Sequence, residues 1–219
     1  KYEIPYYNGI SFNNGTTIKK SMYTSGTIFN YLEYCKMNPK INHYDHGIVG
    51  GLWLYDSLVK NYYLSFSRNK SADFNDFYIN DLHFSTSQFP IFAYLADCII
   101  SHNMWFATDD YTIEQYEKYG LKQLTPPYAQ PVQFNRNPIL FILALADTLE
   151  PIKTCSNLDI SPLDVLNNIE CEFNHKQITL AFKNNDMFNK MTDKINRSTN
   201  WLDINVHINN KNNEIVVRF

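Results

Sequence analysis

The chain carries no excess of charge of either sign, with 19 basic against 22 acidic side chains and a net charge of −3. Nucleic acid and anionic membrane surfaces are met by basic stripes. None is present, so neither is an expected partner. A small phosphorylated molecule needs only a local cation cluster or a metal, and it stays open. Long apolar runs are also missing. The longest, Ile139 to Ala146, falls far short of the roughly 18 residues of a membrane span. The N-terminus lacks the basic-then-apolar pattern of a secretory signal. The chain begins at Lys1 rather than Met, which leaves room for residues upstream. The four cysteines, Cys35, Cys98, Cys155 and Cys171, form no C-x-x-C pair, which removes zinc knuckles and thioredoxin-like motifs. Unpaired thiols suit a reducing compartment, so a cytoplasmic location is expected. No glycine-rich phosphate loop, nucleophile elbow or H-E-x-x-H occurs. P-loop, serine-hydrolase and zincin chemistry therefore drop out.

What is present is apolar mass. At 44% hydrophobic and 16% aromatic, 219 residues can bury a sizeable core, as one domain with a small appendage. Asn8-Gly9 and Asn14-Gly15 are turn signals and predict a small hairpin. Ser25 fits an N-cap, with Ile28, Leu32 and Cys35 on one helical face. After a polar entry, Ile48, Leu52, Tyr55 and Val59 repeat at helical spacing, and Val49 and Leu58 widen the stripe. His46 opens that helix. Glycine is scarce, yet Gly47, Gly50 and Gly51 are three of only seven. Glycine within a helix costs roughly 1 kcal/mol relative to alanine, so the cluster predicts close approach by another backbone or a ligand. Residues 66–82 are polar, with Asp73, Asp76 and Asp81 among aromatics, and read as a loop or insertion. Phe89 to His102 is helical, with Phe92, Leu95, Ile99 and His102 on one inward face. Asp110 or Thr112 caps the next helix, Thr112-x-x-Gln115 fits a capping box, and Gly120 fits a helix stop. Pro126, Pro127 and Pro131 mark an extended loop. Asn137-Pro138 then opens a helix that is apolar on every side, hence central and buried.

Composition shifts after Lys153. Ser161-Pro162 starts a short helix. Ile169 to Phe173 and Gln177 to Phe182 alternate around Asn174-His175-Lys176 and predict a β-hairpin. Asp186 to Thr199 is an amphipathic helix. Leu202 to Ile208 and Glu214 to Phe219 alternate again. The order β-β-α-β-β predicts a small antiparallel sheet with one helix on a face. Its final strand ends the chain, which points to an exposed edge.

Three polar residues fall where the pattern predicts core: His46, His102 and Asp147. A buried ionised carboxylate needs a cation, a donor network or a metal. Two imidazoles and a carboxylate suit zinc or a transition metal. The three are expected to converge on one site.

Asp45-His46-Gly47 entering a helix, Ile99-Ile100-Ser101-His102-Asn103 ending one, and the run Pro138-Ile-Leu-Phe-Ile-Leu-Ala-Leu-Ala-Asp147 together resemble the HD-domain phosphohydrolase superfamily over residues 25–153. The resemblance implies a mainly α, HD-like helical bundle over 1–153, with the α+β part at 154–219 as an appendage. It implies a divalent ion (Mn, Fe, Zn or Mg) held by His46, His102 and the terminal Asp147, and hydrolysis of a nucleotide or other phosphoester. The family's central His-Asp pair is absent. The only histidine in that interval is His83, followed by Phe84. His83, with a nearby carboxylate such as Asp81, is the substitute on offer.

Arg136 and Lys153 flank the Asp147 helix and could bind a phosphate, against the alternative of ordinary surface charges. Glu150 could act as a base beside Asp147, against that of a solvated helix-end acid. Two readings follow. One is a metal-dependent phosphohydrolase with an incomplete ligand set. The other is a degenerate HD fold retained as a ligand-binding or regulatory module. The α+β part is open to capping the helical domain, forming a homodimer or binding a regulator.

Overall fold

The computed structural model describes residues 9–11, 17–19, 30, 33–38, 46–69, 73–102, 110–121 and 131–219. The chain divides into two compact units, residues 1–129 and 130–219. The expected Ser25 cap, with Ile28 and Leu32, lies outside the described residues, as do the polar entry to the His46 helix and the prolines at 126 and 127.

In the first unit, β1 (Gly9–Ser11) and β2 (Thr17–Lys19) pair antiparallel, Ile10 opposite Ile18. This is the hairpin the Asn-Gly steps predict. Helix α1 (His46–Arg68) buries Tyr55, Val59 and Tyr62. Val49 does not widen that face; it is 54% exposed. The segment expected as a loop is instead the end of α1 followed by a hairpin, β3 (Asp76–Ile79) and β4 (Leu82–Ser85). Its two-residue turn places Asn80 and Asp81 at φ 46° and 65°. These left-handed values suit a type I′ turn, and Asn and Asp tolerate them better than most residues. The hairpin is held by aromatics. Tyr62 lies 5.3 Å from Phe77 and 6.0 Å from Phe84 by ring centroids, and its hydroxyl donates to the Phe74 carbonyl.

Helix α2 (Phe89–Ser101) packs along α1. Its buried face is Ala93, Ala96, Asp97, Ile100 and Ser101, together with Tyr94 and Cys98. The expected face of Phe92, Leu95, Ile99 and His102 is only half-buried, so the inward face is turned by one residue. The reason is Gly51. A methyl group there would lie 2.6 Å from the Ala96 carbonyl oxygen and would also strike the Ile100 side chain. Small residues, not large ones, mark this helix crossing. Close backbone approach, expected from the glycine cluster, is therefore present at Gly51. Helix α3 (Asp110–Lys118) starts too early for a capping box at Thr112. It stops as expected: Gly120 takes φ 71°, Leu121 N donates to the Tyr116 carbonyl, and Gly120 N donates to that of Glu117. This is the paired bonding of a Schellman stop.

In the second unit, α4 (Pro138–Leu149) begins at Asn137 with proline in its first turn. It is not buried on every side. Leu140, Phe141, Ala144, Leu145 and Thr148 are buried, while Ile142 is 54% exposed. The short helices α5 (Pro151–Thr154) and α6 (Pro162–Asn167) follow, the latter capped by Ser161 as expected. Strands β5 (Ile169–Phe173), β6 (Gln177–Phe182), β7 (Asn205–Asn209) and β8 (Glu214–Arg218) form one antiparallel sheet in the order β5-β6-β8-β7. Helix α7 (Asn185–Ser198) packs on it. Met187, Phe188, Met191 and Ile195 are buried, as are Leu180, Phe182, Ile215 and Val217 on the strands. The β-β-α-β-β order stands. The final strand, however, is interior, and the edges are β5 and β7.

The expectation of a mainly α, HD-like bundle is overturned. Antiparallel strands occur in both units, and the β3–β4 hairpin connects, along the chain, the two helices that carry the histidines. The chain is α+β. The bundle expectation failed because two strands of only four residues each, set among Asp73, Asp76 and Asp81, carry the polar character of a loop.

Candidate metal-binding site

His46 and His102 are set by opposite ends of two packed helices. His46 is the first residue of α1, and His102 caps the C-terminus of α2. The two imidazole centroids lie 5.4 Å apart, with planes inclined at 71°. A ring nitrogen of each lies within 4.8 Å of the other. His102 Nδ1 contacts the Ile99 carbonyl. A carbonyl only accepts, so Nδ1 carries the proton. In the neutral ring that leaves the lone pair on Nε2, the form in which imidazole binds a metal. Neither ring is deeply buried: His46 is exposed and His102 half-buried. The core placement expected for His46 is thus corrected: its side chain is on the exposed side of the first turn of α1, whereas Gly47 is buried.

His83 is not part of this pair. It sits on β4, its Nε2 2.8 Å from Asp76 Oδ1 and its ring stacked on Tyr78 at 4.7 Å. Its carboxylate partner is Asp76 across the hairpin, not Asp81, which occupies the turn. Among the described residues, no cluster of three ligand-type groups includes His83.

Asp147 belongs to the second unit, in the last turn of α4, and is half-buried. Glu150 ends α4 and caps α5. Its carboxylate accepts from Ile152 N at 2.7 Å and Lys153 N at 2.8 Å. Those bonds occupy both oxygens, which suits a helix cap better than a base. Arg136 and Lys153 are exposed at opposite ends of α4, separated by roughly 18 Å of helix.

Two residues were not singled out from sequence. Asp97 is 4% exposed within α2, and Ser101 Oγ donates to its Oδ1 at 3.5 Å. The argument that selected Asp147, an acid in an apolar helical run, applies to Asp97 with more force. Lys194 on α7 donates to the Asp147 carbonyl oxygen at 2.6 Å. Burial holds its ammonium below the ordinary lysine range, against the opposing pull of Asp147 and Glu150. Nearby, burial and then the Glu150 charge push the Cys155 thiol up.

The described residues therefore include a pair of imidazoles that could hold a metal ion, and no helix among them is long and apolar enough to cross a membrane. Compared with protein-family models, curated proteins and solved structures, the chain finds no match.

Proposed function

We propose that His46 and His102 are ligands of a divalent transition metal, and that the chain is a metal-dependent phosphohydrolase acting on a nucleotide or other phosphoester. The observation that carries the metal is the His102 Nδ1–H bond to the Ile99 carbonyl, which orients the ring and reserves Nε2. Two imidazole nitrogens on one tetrahedral zinc stand roughly 3.4 Å apart, from metal–nitrogen distances of about 2.0–2.1 Å. The two ring centroids lie 5.4 Å apart, and a ring nitrogen of each lies within 4.8 Å of the other. Imidazole favours zinc or iron over magnesium and manganese, which prefer oxygen. A bound ion would lower the pKa of a coordinated water and polarise a phosphoryl oxygen. Asp147 enters as a further ligand on the order of residues in the sequence, and the phosphoester on the HD-like motifs that include it.

A second reading, a ligand-binding or regulatory module, is favoured by one feature. The interval between His46 and His102 holds no His-Asp pair, and its single histidine is engaged by Asp76 and Tyr78. One experiment separates the readings. Elemental analysis of purified protein incubated with zinc or manganese should find about one equivalent, lost in His102→Ala and reduced in Asp147→Ala. Hydrolysis of bis(4-nitrophenyl) phosphate by the loaded protein, absent in His102→Ala, supports the hydrolase. Stoichiometric metal without turnover supports the module. Less than about a tenth of an equivalent in the wild type removes the metal reading and leaves the module.

A further inference from the structure

The last turn of α4 leaves a carbonyl that its own helix does not satisfy. In an α-helix the Asp147 carbonyl would accept from the N–H of residue 151. Residue 151 is proline, which has no N–H to give. The backbone leaves the helix at Glu150, with φ −65° and ψ 115°. Lys194, on a helix 47 positions further along the chain, supplies the missing donor. Its ammonium donates to the Asp147 carbonyl oxygen at 2.6 Å and to Thr154 Oγ1 at 3.1 Å. Thr154 Oγ1 donates in turn to the Glu150 carbonyl at 2.7 Å. One cation thereby ties the end of α4, the Glu150 corner and α5 together. Surface lysines keep their ammonium in water; this one is half-buried and spends two of its three donors on that corner.

On the reading that Asp147 is a metal ligand, we infer that Lys194 is a positioning residue, which fixes the Asp147 backbone and through it the direction of the carboxylate. It acts on the main chain and does not itself touch a metal. Groups that orient a ligand in this way typically change metal affinity about 10–100-fold when removed.

The test uses Lys194→Met, which keeps the length and loses the donors, and Lys194→Arg, which restores donors. Zinc titration should show affinity about tenfold or more weaker in Lys194→Met, and largely recovered in Lys194→Arg. In an Asp147→Ala background, Lys194→Met should have no further effect on zinc affinity. Amide exchange in the last turn of α4 should quicken about tenfold in Lys194→Met, with β8 unchanged. Zinc affinity within about twofold of the wild type overturns the inference. So does a further loss in the Asp147→Ala background. If the wild type takes up no zinc, the ligand reading has failed by itself. Unchanged exchange at the end of α4 would then overturn the anchoring role as well, and quickened exchange would sustain it.

Discussion

The helix pair of the first unit and the sheet of the second reach a packed interior by opposite means. Where α1 crosses α2, contact is backbone to backbone, through Gly51 against the Ala96 carbonyl, and the small residues Ala93 and Ala96 are fully buried. Where α7 meets its sheet, large side chains fill the space: Met187, Met191, Ile195, Ile215 and Val217 are all fully buried. One region is therefore damaged by adding atoms and the other by removing them. The distinction bears on the site, since the close crossing joins the two helices that carry His46 and His102.

The largest effect expected from this contrast lies in the sheet. Ile215→Ala opens a void in the interior strand β8 and should cost about 2–5 kcal/mol in urea unfolding. A smaller loss, about 1–3 kcal/mol, is expected from Gly51→Ala, because the added methyl meets backbone that cannot rotate away. A neutral Gly51→Ala would show that the helices are not in backbone contact and would break the comparison.

The aromatic cluster beside the helix pair gives a pH-dependent effect. Burial raises the Tyr55 and Tyr62 hydroxyls above the ordinary tyrosine range, and the charges of Asp76 and Asp73 add at Tyr62. A raised folded-state value means that the unfolded chain loses these protons first. Their contribution is intact below about pH 10 and is lost as pH rises from there through the folded values. Tyrosinate absorbance near 295 nm should accordingly lag in native protein behind urea-unfolded protein, and less so in Tyr62→Phe. Coincident titration curves would contradict the burial argument. The smallest effect concerns thiols and leaves stability untouched. Cys171 is exposed on the edge strand β5, whereas Cys155 is fully buried with its thiol pushed up. Ellman's reagent should modify Cys171 in native protein and reach Cys155 only on unfolding.

The same contrast explains what the sequence made legible. The second unit's sheet was readable because Gln177 to Phe182 and Glu214 to Arg218 alternate cleanly around polar turns. The β3–β4 hairpin was not, because its strands are only four residues long, because Tyr78 is aromatic yet 62% exposed, which breaks the alternation of β3, and because its turn contains no glycine. The buried face of α2 was misplaced by one residue for a related reason. The helix is apolar nearly all round, and only the small residues opposite Gly51 reveal which side is closed. At the site, the pairing of His46 with His102 was readable from their places at the ends of two helices. The role of Glu150 as a cap was less so, since an acid before proline has several uses. Lys194 left almost no trace, because its partner is a backbone carbonyl 47 residues away. The only hint was Pro151, whose missing N–H requires a donor from elsewhere.

The central claim is that the two imidazoles of the helix pair bind one metal ion, and X-ray absorption spectroscopy of zinc-loaded protein tests it most directly. The account predicts two imidazole scatterers at about 2.0–2.1 Å in the wild type and one in His102→Ala, with His83→Ala indistinguishable from the wild type. A zinc environment without imidazole scattering, or one that loses a histidine in His83→Ala and none in His102→Ala, would contradict it.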